Sequence, residues 1–276
     1  MADSVAVSGA LPYTLLLLLL ELGVGGALVM HAVHLRGQAT PGFVRATTIM
    51  VPIVLGLAFW TAFTLDGDVV EGFPVRSAPR DALVWVLATL TAVSVLHNLA
   101  LYTDRDAWAR RIGWALSGLS LAALGLMAVT LAGSPEALTA FSLSFGALAL
   151  GLSAVGLALG HWYLVTPRLP ARPLVEITSA FLIVVVVQAV LFGVALAISI
   201  EDPVGGRDQS LTGDPTFWLR IVVGFALPLV FGWMAWTTAR MRSMMAATGL
   251  LYLTTAAVLA AQIAARALML DSGRPL

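Results

Sequence analysis

The chain has 276 residues, of which 59% are hydrophobic and only 11% charged, and its mean hydropathy is +0.94. A water-soluble domain needs roughly a quarter of its residues charged, so most of this surface must face a lipid bilayer. There is no Cys and every basic residue is Arg, which excludes thiolate metal sites, iron–sulfur clusters, disulfides and lysine Schiff bases. The net charge of zero gives no indication of a nucleic-acid partner.

Eight apolar segments are long enough to cross a bilayer as α-helices, which takes about 20 residues. In chain order they are 12–35, 44–65, 82–103, 112–132, 138–166, 174–200, 216–238 and 243–270. The first is expected to be a spanning helix rather than a signal peptide, because residues 1–13 contain no basic residue. Open sheet edges cannot be satisfied in hydrocarbon. The sequence therefore predicts an all-α integral membrane protein, a bundle of about eight transmembrane helices forming a single transmembrane domain over residues 1–276.

Arginine is concentrated in the connections after segments 1, 3, 5 and 7. These connections hold Arg36, Arg45, Arg105, Arg110, Arg111, Arg168, Arg172, Arg240 and Arg242. The other side has six Arg but also eleven of the 15 acidic residues. The positive-inside rule then predicts that the odd segments run from outside to inside. We expect both termini outside, with a bacterial inner membrane as the location.

A weak internal echo relates the two halves of the chain. The stretch from Met30 and His31 to Thr48 can be aligned with the stretch from Gly160 and His161 to Ser179, at an offset of 130 or 131 residues. With four helices in each half, such a repeat would be parallel, with its axis along the membrane normal. The echo predicts two four-helix repeats, 1–134 and 135–276, as an elaboration of the simple bundle.

The four histidines are the most informative polar residues. His31, His34, His97 and His161 all lie in odd segments, two to seven residues before an arginine-rich connection. At 1.5 Å per residue they occupy one layer near the inner boundary. Ionisable groups inside a membrane usually face the bundle interior. We therefore expect the four imidazoles to converge there.

One interpretation of the histidines is a b-type haem. His31 and His161 would be its opposed axial ligands, since each follows glycines that leave room for a flat macrocycle and the echo makes them equivalent. His34 and His97 would hold a second site or bond to quinone or a propionate. The chain would then be a membrane-embedded redox subunit that passes electrons to or from quinone, beside a membrane or peripheral redox partner.

Two other interpretations stay open. His31 and His34 are neighbours on one helical face and, with His97 and His161, could bind a zinc, copper or iron ion. The protein could then be a transporter that binds a metal ion or relays protons. Alternatively, the histidines satisfy backbone carbonyls, and the chain is a structural subunit of a membrane complex. A carboxylate-bridged di-iron centre is not expected, because no Asp or Glu shares the depth of the histidines.

A few other polar groups and prolines interrupt the apolar segments. Glu21 lies midway along segment 1 and must be protonated or paired there, where it could belong to a proton or quinone route. Arg220 and Arg266 lie near outer helix ends and are expected to extend to the membrane surface. Pro52 and Pro228 are expected to kink segments 2 and 7.

Overall fold

The prediction of an all-α bundle is confirmed by a computed structural model. It describes residues 3–65, 69–70, 73–131, 135–166, 168–197, 213 and 215–272. The helices are α1 (Asp3–Arg36), α2 (Pro41–Thr48), α3 (Met50–Thr64), α4 (Ser77–Tyr102), α5 (Asp106–Thr130), α6 (Glu136–Val165), α7 (Arg172–Ala197), α8 (Pro215–Ile221), a π-helical turn (Val222–Ala226), α9 (Leu227–Arg240) and α10 (Met244–Ser272). Between α3 and α4 lies a two-residue antiparallel hairpin, β1 (Val69–Val70) and β2 (Phe73–Pro74).

Eight helical stretches of the described chain are long and apolar enough to cross a membrane. Segment 2 consists of α2 and α3, and segment 7 of α8, the π-helical turn and α9. Large apolar side chains cover the outside of the bundle. Trp60, Phe63, Trp85 and Ile183 are each at least 64% exposed. Such a surface is stable against lipid and not against water, so the chain is a multi-pass integral membrane protein.

Most of the spanning helices are longer than the apolar segments that predicted them. For example, α4 begins at Ser77 rather than at residue 82, and α5 begins at Asp106 rather than at residue 112. Hydropathy marks where hydrocarbon ends, whereas a helix continues as long as its backbone hydrogen bonds are satisfied. The additional N-terminal residues of α5 include Asp106, which lies next to the histidines.

The helix contacts form two four-helix rings, one in each half of the chain. In the first half α1 and α4 both pack against α3 and α5, so that four spans close into a ring; in the second half α6 and α9 both pack against α7 and α10. The halves meet where α1 crosses α6. There a Cβ at Gly25 would overlap the carbonyl of Ala147, and a Cβ at Gly151 would overlap the backbone of Gly25. Small residues thus permit close backbone approach. The equivalence of the two sequences stays a prediction.

Side-chain contacts show that the connections after spans 1, 3 and 5 lie at one end of the bundle, which we call the histidine end. The contacts there are Arg36–Glu176, Arg45–Asp104 and a bond of 3.1 Å from Trp162 Nε1 to Thr40 Oγ1. At the opposite end Arg76 pairs with Glu136 at 2.5 Å. The spans therefore alternate in direction, as predicted. The side of the membrane that each end faces stays a prediction.

Both predicted proline kinks appear as interruptions one turn before the proline. Proline lacks an N–H and its ring clashes with the carbonyl four residues earlier, which is Thr48 for Pro52 and Gly224 for Pro228. Accordingly, α2 ends at Thr48 and α3 begins at Met50, while α9 follows the π-helical turn. The carbonyl of Thr48 accepts a hydrogen bond of 3.2 Å from Asn98 Nδ2, which ties the interruption to α4.

Candidate metal centre

Three of the four predicted histidines meet inside the first half. One ring nitrogen from each of His31, His34 and His97 lies within 4.8 Å of the others. His31 and His34 share a face because they are one turn apart on α1. His97 extends from α4 into the interior of the four-helix bundle and meets them there. The centroid of the His97 ring is 6.3 Å from that of His31 and 6.1 Å from that of His34. All three residues are buried, with exposures of 3% for His31 and 1% for His97.

The fourth histidine does not join this group. His161 is exposed and has no ring contact with the other three among the described residues. Its neighbours explain why, since Gly160 packs against Thr248 of α10 and Trp162 packs against α2. His161, which lies between Gly160 and Trp162, is therefore on the outward face of α6. The expected convergence therefore holds for three imidazoles, and the structure does not bring His161 beside His31.

The buried imidazoles lack hydrogen-bond partners. Within the described part of the chain, five of the six ring nitrogens have none: both nitrogens of His31, both of His97 and Nδ1 of His34. A buried polar atom left unpaired costs about 1–3 kcal/mol. The interpretation that these histidines satisfy backbone carbonyls is therefore wrong for His31 and His97. Each neutral imidazole keeps one nitrogen lone pair, so the three residues could hold a metal ion.

The sixth ring nitrogen, His34 Nε2, is hydrogen-bonded to Asp106. His34 Nε2 lies 2.7 Å from Asp106 Oδ1, and Arg110 Nε donates to the other carboxylate oxygen at 2.9 Å. With Nε2–H donating to the carboxylate, the lone pair of His34 is on Nδ1. Carboxylates that orient metal-bound histidines in this way fix the tautomer and the ring orientation. The expectation that no acidic residue shares the depth of the histidines is wrong, because α5 begins six residues before its apolar segment.

Helix α5 also makes room for His31. A Cβ at Gly113 would overlap the His31 ring, and the Trp114 ring packs edge-on against the imidazole with centroids 5.2 Å apart. The ring of His31 thus lies directly against the backbone of α5. Neither residue stood out in the sequence, where a glycine in an apolar helix usually indicates close helix packing.

Asn98 places His97 by fixing α4 against the second span. Its Nδ2 donates to the freed carbonyl of Thr48 and, at 2.9 Å, to Ser94 O in its own helix. The interhelical bond holds the residue adjacent to His97 at a defined distance from α2. Pro52 is what frees that carbonyl, so the proline in the second span contributes to the position of a ligand in the third.

A cavity of about 330 Å³ leads from the histidine end to His34. Its lining includes Val33, Gly37, Asp104, Asp106 and Arg110. His34 itself is among the lining residues, beside Asp106 and Arg45. The cavity therefore reaches the edge of the imidazole group at His34, and its two aspartates are paired with Arg45 and Arg110.

A second group of buried polar residues lies towards the opposite end. Arg266 and Glu21 are both 0% exposed and form a two-point ion pair, with Nη2–Oε1 at 2.6 Å and Nε–Oε2 at 3.2 Å. Arg220 is 2% exposed. The expectation that Arg220 and Arg266 extend to the membrane surface is therefore wrong. Glu21 is paired, one of its two predicted states, and Gly146 leaves room for the pair, since a Cβ there would overlap Glu21 Oε1.

Comparisons with protein-family models and with curated proteins gave no match for this chain. The fold and the site therefore define it by class. It is a multi-pass integral membrane protein in which three buried histidines are in position to hold a metal ion.

Proposed function

We propose that the protein binds one transition-metal ion, zinc, copper or ferrous iron, through His31, His34 and His97. The observation that carries this proposal is the convergence of three buried imidazoles whose nitrogens are unpartnered except for the one that Asp106 orients. Three protein ligands leave a coordination position free, as in catalytic rather than structural metal sites. The chain would thus be a membrane metalloprotein with an exchangeable position that takes water, substrate or an electron-transfer partner's ligand.

The spacing of the nitrogens supports an ion at this place. Zinc lies 2.0–2.1 Å from histidine nitrogens, so three tetrahedral ligands are about 3.3 Å apart. The ring nitrogens of His31, His34 and His97 lie within 4.8 Å of one another. We expect rotation of the side chains to close this difference.

Haem b is the second candidate, favoured by one observation. His31 and His97 are buried on different helices with ring centroids 6.3 Å apart, so they rather than His31 and His161 are the pair that could flank an iron. Both rings are almost fully covered, at 3% and 1% exposed. A macrocycle would therefore have to separate the helices around them, which is why we favour an ion. Electron transfer with quinone belongs to this second candidate.

Metal analysis and an optical spectrum of the detergent-purified protein separate the two candidates. We expect about one zinc, copper or iron ion per chain by mass spectrometry and no Soret band before or after reduction with dithionite. A Soret band with a reduced α-band would replace the proposal with haem b. If protein purified from cells supplied with metals and haem precursors contained neither a metal ion nor haem, both candidates would be wrong.

Replacing Asp106 with Asn tests the orienting carboxylate. We expect metal affinity to fall about 10- to 100-fold, the usual effect of removing a carboxylate that orients a histidine ligand. Competition with a chromophoric chelator measures it. Asp104→Asn is the matched control, because Asp104 lies at the same end and pairs with Arg45 without touching a histidine. Equal losses in both variants would mean that Asp106 acts only through the charge of the cavity mouth.

The proposed orientation places this cavity on the inner side of the membrane. Cysteines introduced at Ser77 and Gln209 are expected to react with an impermeant thiol reagent added from outside, and one at Ala171 is not. Gln209 lies outside the described residues, and Ser77 begins α4 at the end opposite the histidines. The reverse labelling pattern would place the cavity, and the supply of metal, outside.

A further inference from the structure

Among the residues that the structure describes, Arg220 is a buried cation with no hydrogen bond to a carboxylate. It is 2% exposed, and Nη1 donates a long hydrogen bond of 3.4 Å to the carbonyl of Ala261. Its guanidinium carbon lies 4.6 Å from the centre of the Phe225 ring, and Nε has no partner. One weak hydrogen bond and one aromatic face do not replace the hydration that a guanidinium loses on burial, which is worth several kcal/mol.

Within the described helices, the charges that act on Arg220 leave an excess of one positive charge. Arg220 interacts electrostatically with both Arg266 and Glu21, but both oxygens of Glu21 already bond to Arg266. The remaining partners of Arg266 are neutral: the hydroxyl and carbonyl oxygens of Ser142, the side-chain oxygen of Gln262 and the sulfur of Met269. Two guanidinium groups therefore share one carboxylate in the interior of the bundle.

We propose that Arg220 binds a small monovalent anion, a halide or a carboxylate. One negative charge balances the excess, and an anion at Nε would occupy a hydrogen-bond donor that is otherwise unused. The local backbone is unusual in the same place. The π-helical turn begins two residues after Arg220, and such turns are frequent at functional sites. Gly224 in this turn lies against the Arg220 side chain, since a Cβ there would be 3.0 Å from Arg220 Cδ.

Arg220 lies far from the proposed metal centre along the bundle. The residue lies in the first turns of the span Pro215–Arg240, and therefore towards the end of the bundle opposite the histidines. The anion site and the metal centre are thus separate, and each can fail without the other. Metal content measured in the variants below is expected to stay at the wild-type level.

Thermal unfolding in chloride and in gluconate at equal ionic strength tests the proposal. Gluconate carries its charge on a bulky chain that does not fit a buried site. We expect chloride, and likewise formate, to raise the melting temperature of the wild type along a saturating curve, because a ligand that binds the native state stabilises it. Arg220→Gln should weaken the apparent affinity for chloride about 10- to 100-fold, the range for hydrogen bonds to charged groups.

Arg240→Gln is the matched control. Arg240 stacks on Trp236 at the same 4.6 Å but is exposed, so its variant should keep the full response to chloride. Arg220→Leu guards against misfolding: in gluconate it should melt no lower than the wild type, because it removes an unbalanced buried charge. A wild type that does not respond to chloride or formate, or an Arg220→Gln variant that responds as the wild type does, would overturn the proposal.

Discussion

Replacing His31, His34 or His97 with alanine is expected to remove the metal ion from the purified protein. Each residue supplies one of only three protein ligands, and no other side chain of the described cluster offers a free lone pair in its place. We expect metal affinity to fall by more than the 10- to 100-fold typical of losing a residue that only supports a ligand. Metal content and competition with a chelator measure this change.

His161→Ala is the control for these three variants. It removes the same imidazole from a similar depth, but at an exposed position on α6, so the ion should remain. A third measurement separates loss of metal from loss of fold. In metal-free protein, His97→Leu should change the melting temperature little, because leucine fills a similar volume and the His97 ring has no hydrogen bond to lose. If His161→Ala released the ion as completely as His97→Ala, the three-histidine centre would be wrong.

The depth of a residue in the membrane could be predicted from sequence, but the side of the helix on which it faces the bundle interior could not. The length of hydrocarbon that each helix must cross fixes where each residue lies along the bundle normal. This is why His31, His34 and His97 were correctly expected in one layer. Which side of a helix faces the interior depends on packing with neighbours. His161 shares the depth of the others, yet it lies on the outward face of α6, between Gly160 and Trp162.

The supporting residues of the site were missed for a related reason. Asp106 follows a charged connection and precedes an apolar segment, so hydropathy assigned it to water. Only the three-dimensional structure shows that α5 begins there and directs the carboxylate to His34. Gly113 carries no chemistry of its own, and its role depends entirely on the ring that lies against it. Such residues are defined by pairs of helices, and no single segment contains the signal.

Arginine in the spans shows the same limit of reasoning from one segment. An arginine near a helix end is expected to reach the membrane surface, and Arg266 lies six residues before the end of α10. The carboxylate of Glu21, 245 residues away in the sequence, provides a buried alternative. Two-point pairing of a guanidinium with a carboxylate is among the strongest polar interactions in proteins, and here it decides where the side chain lies.

Glu21→Gln is expected to destabilise the fold more than any other single charge neutralisation in the bundle. It leaves the buried guanidinium groups of Arg266 and Arg220 without their shared carboxylate, and an uncompensated buried charge costs about 3–5 kcal/mol. Unfolding in mixed micelles with increasing dodecyl sulfate, followed by circular dichroism, measures the effect. Glu136→Gln is the control, since it breaks the ion pair with Arg76 in which both side chains are about half exposed; exposed pairs contribute about 0–1 kcal/mol.

The double variant Glu21→Leu with Arg266→Met separates the value of the pair from the cost of breaking it. Removing both charges leaves no unpaired guanidinium at position 266, beside Ser142 and Gln262. Most of the stability lost in Glu21→Gln should therefore return. Arg220 then remains as a single buried cation, and the chloride concentration must be held constant across the series. A double variant as unstable as Glu21→Gln would show that the charge itself organises the packing of α1, α6 and α10. A Glu21→Gln variant no weaker than Glu136→Gln would mean that water reaches this pair.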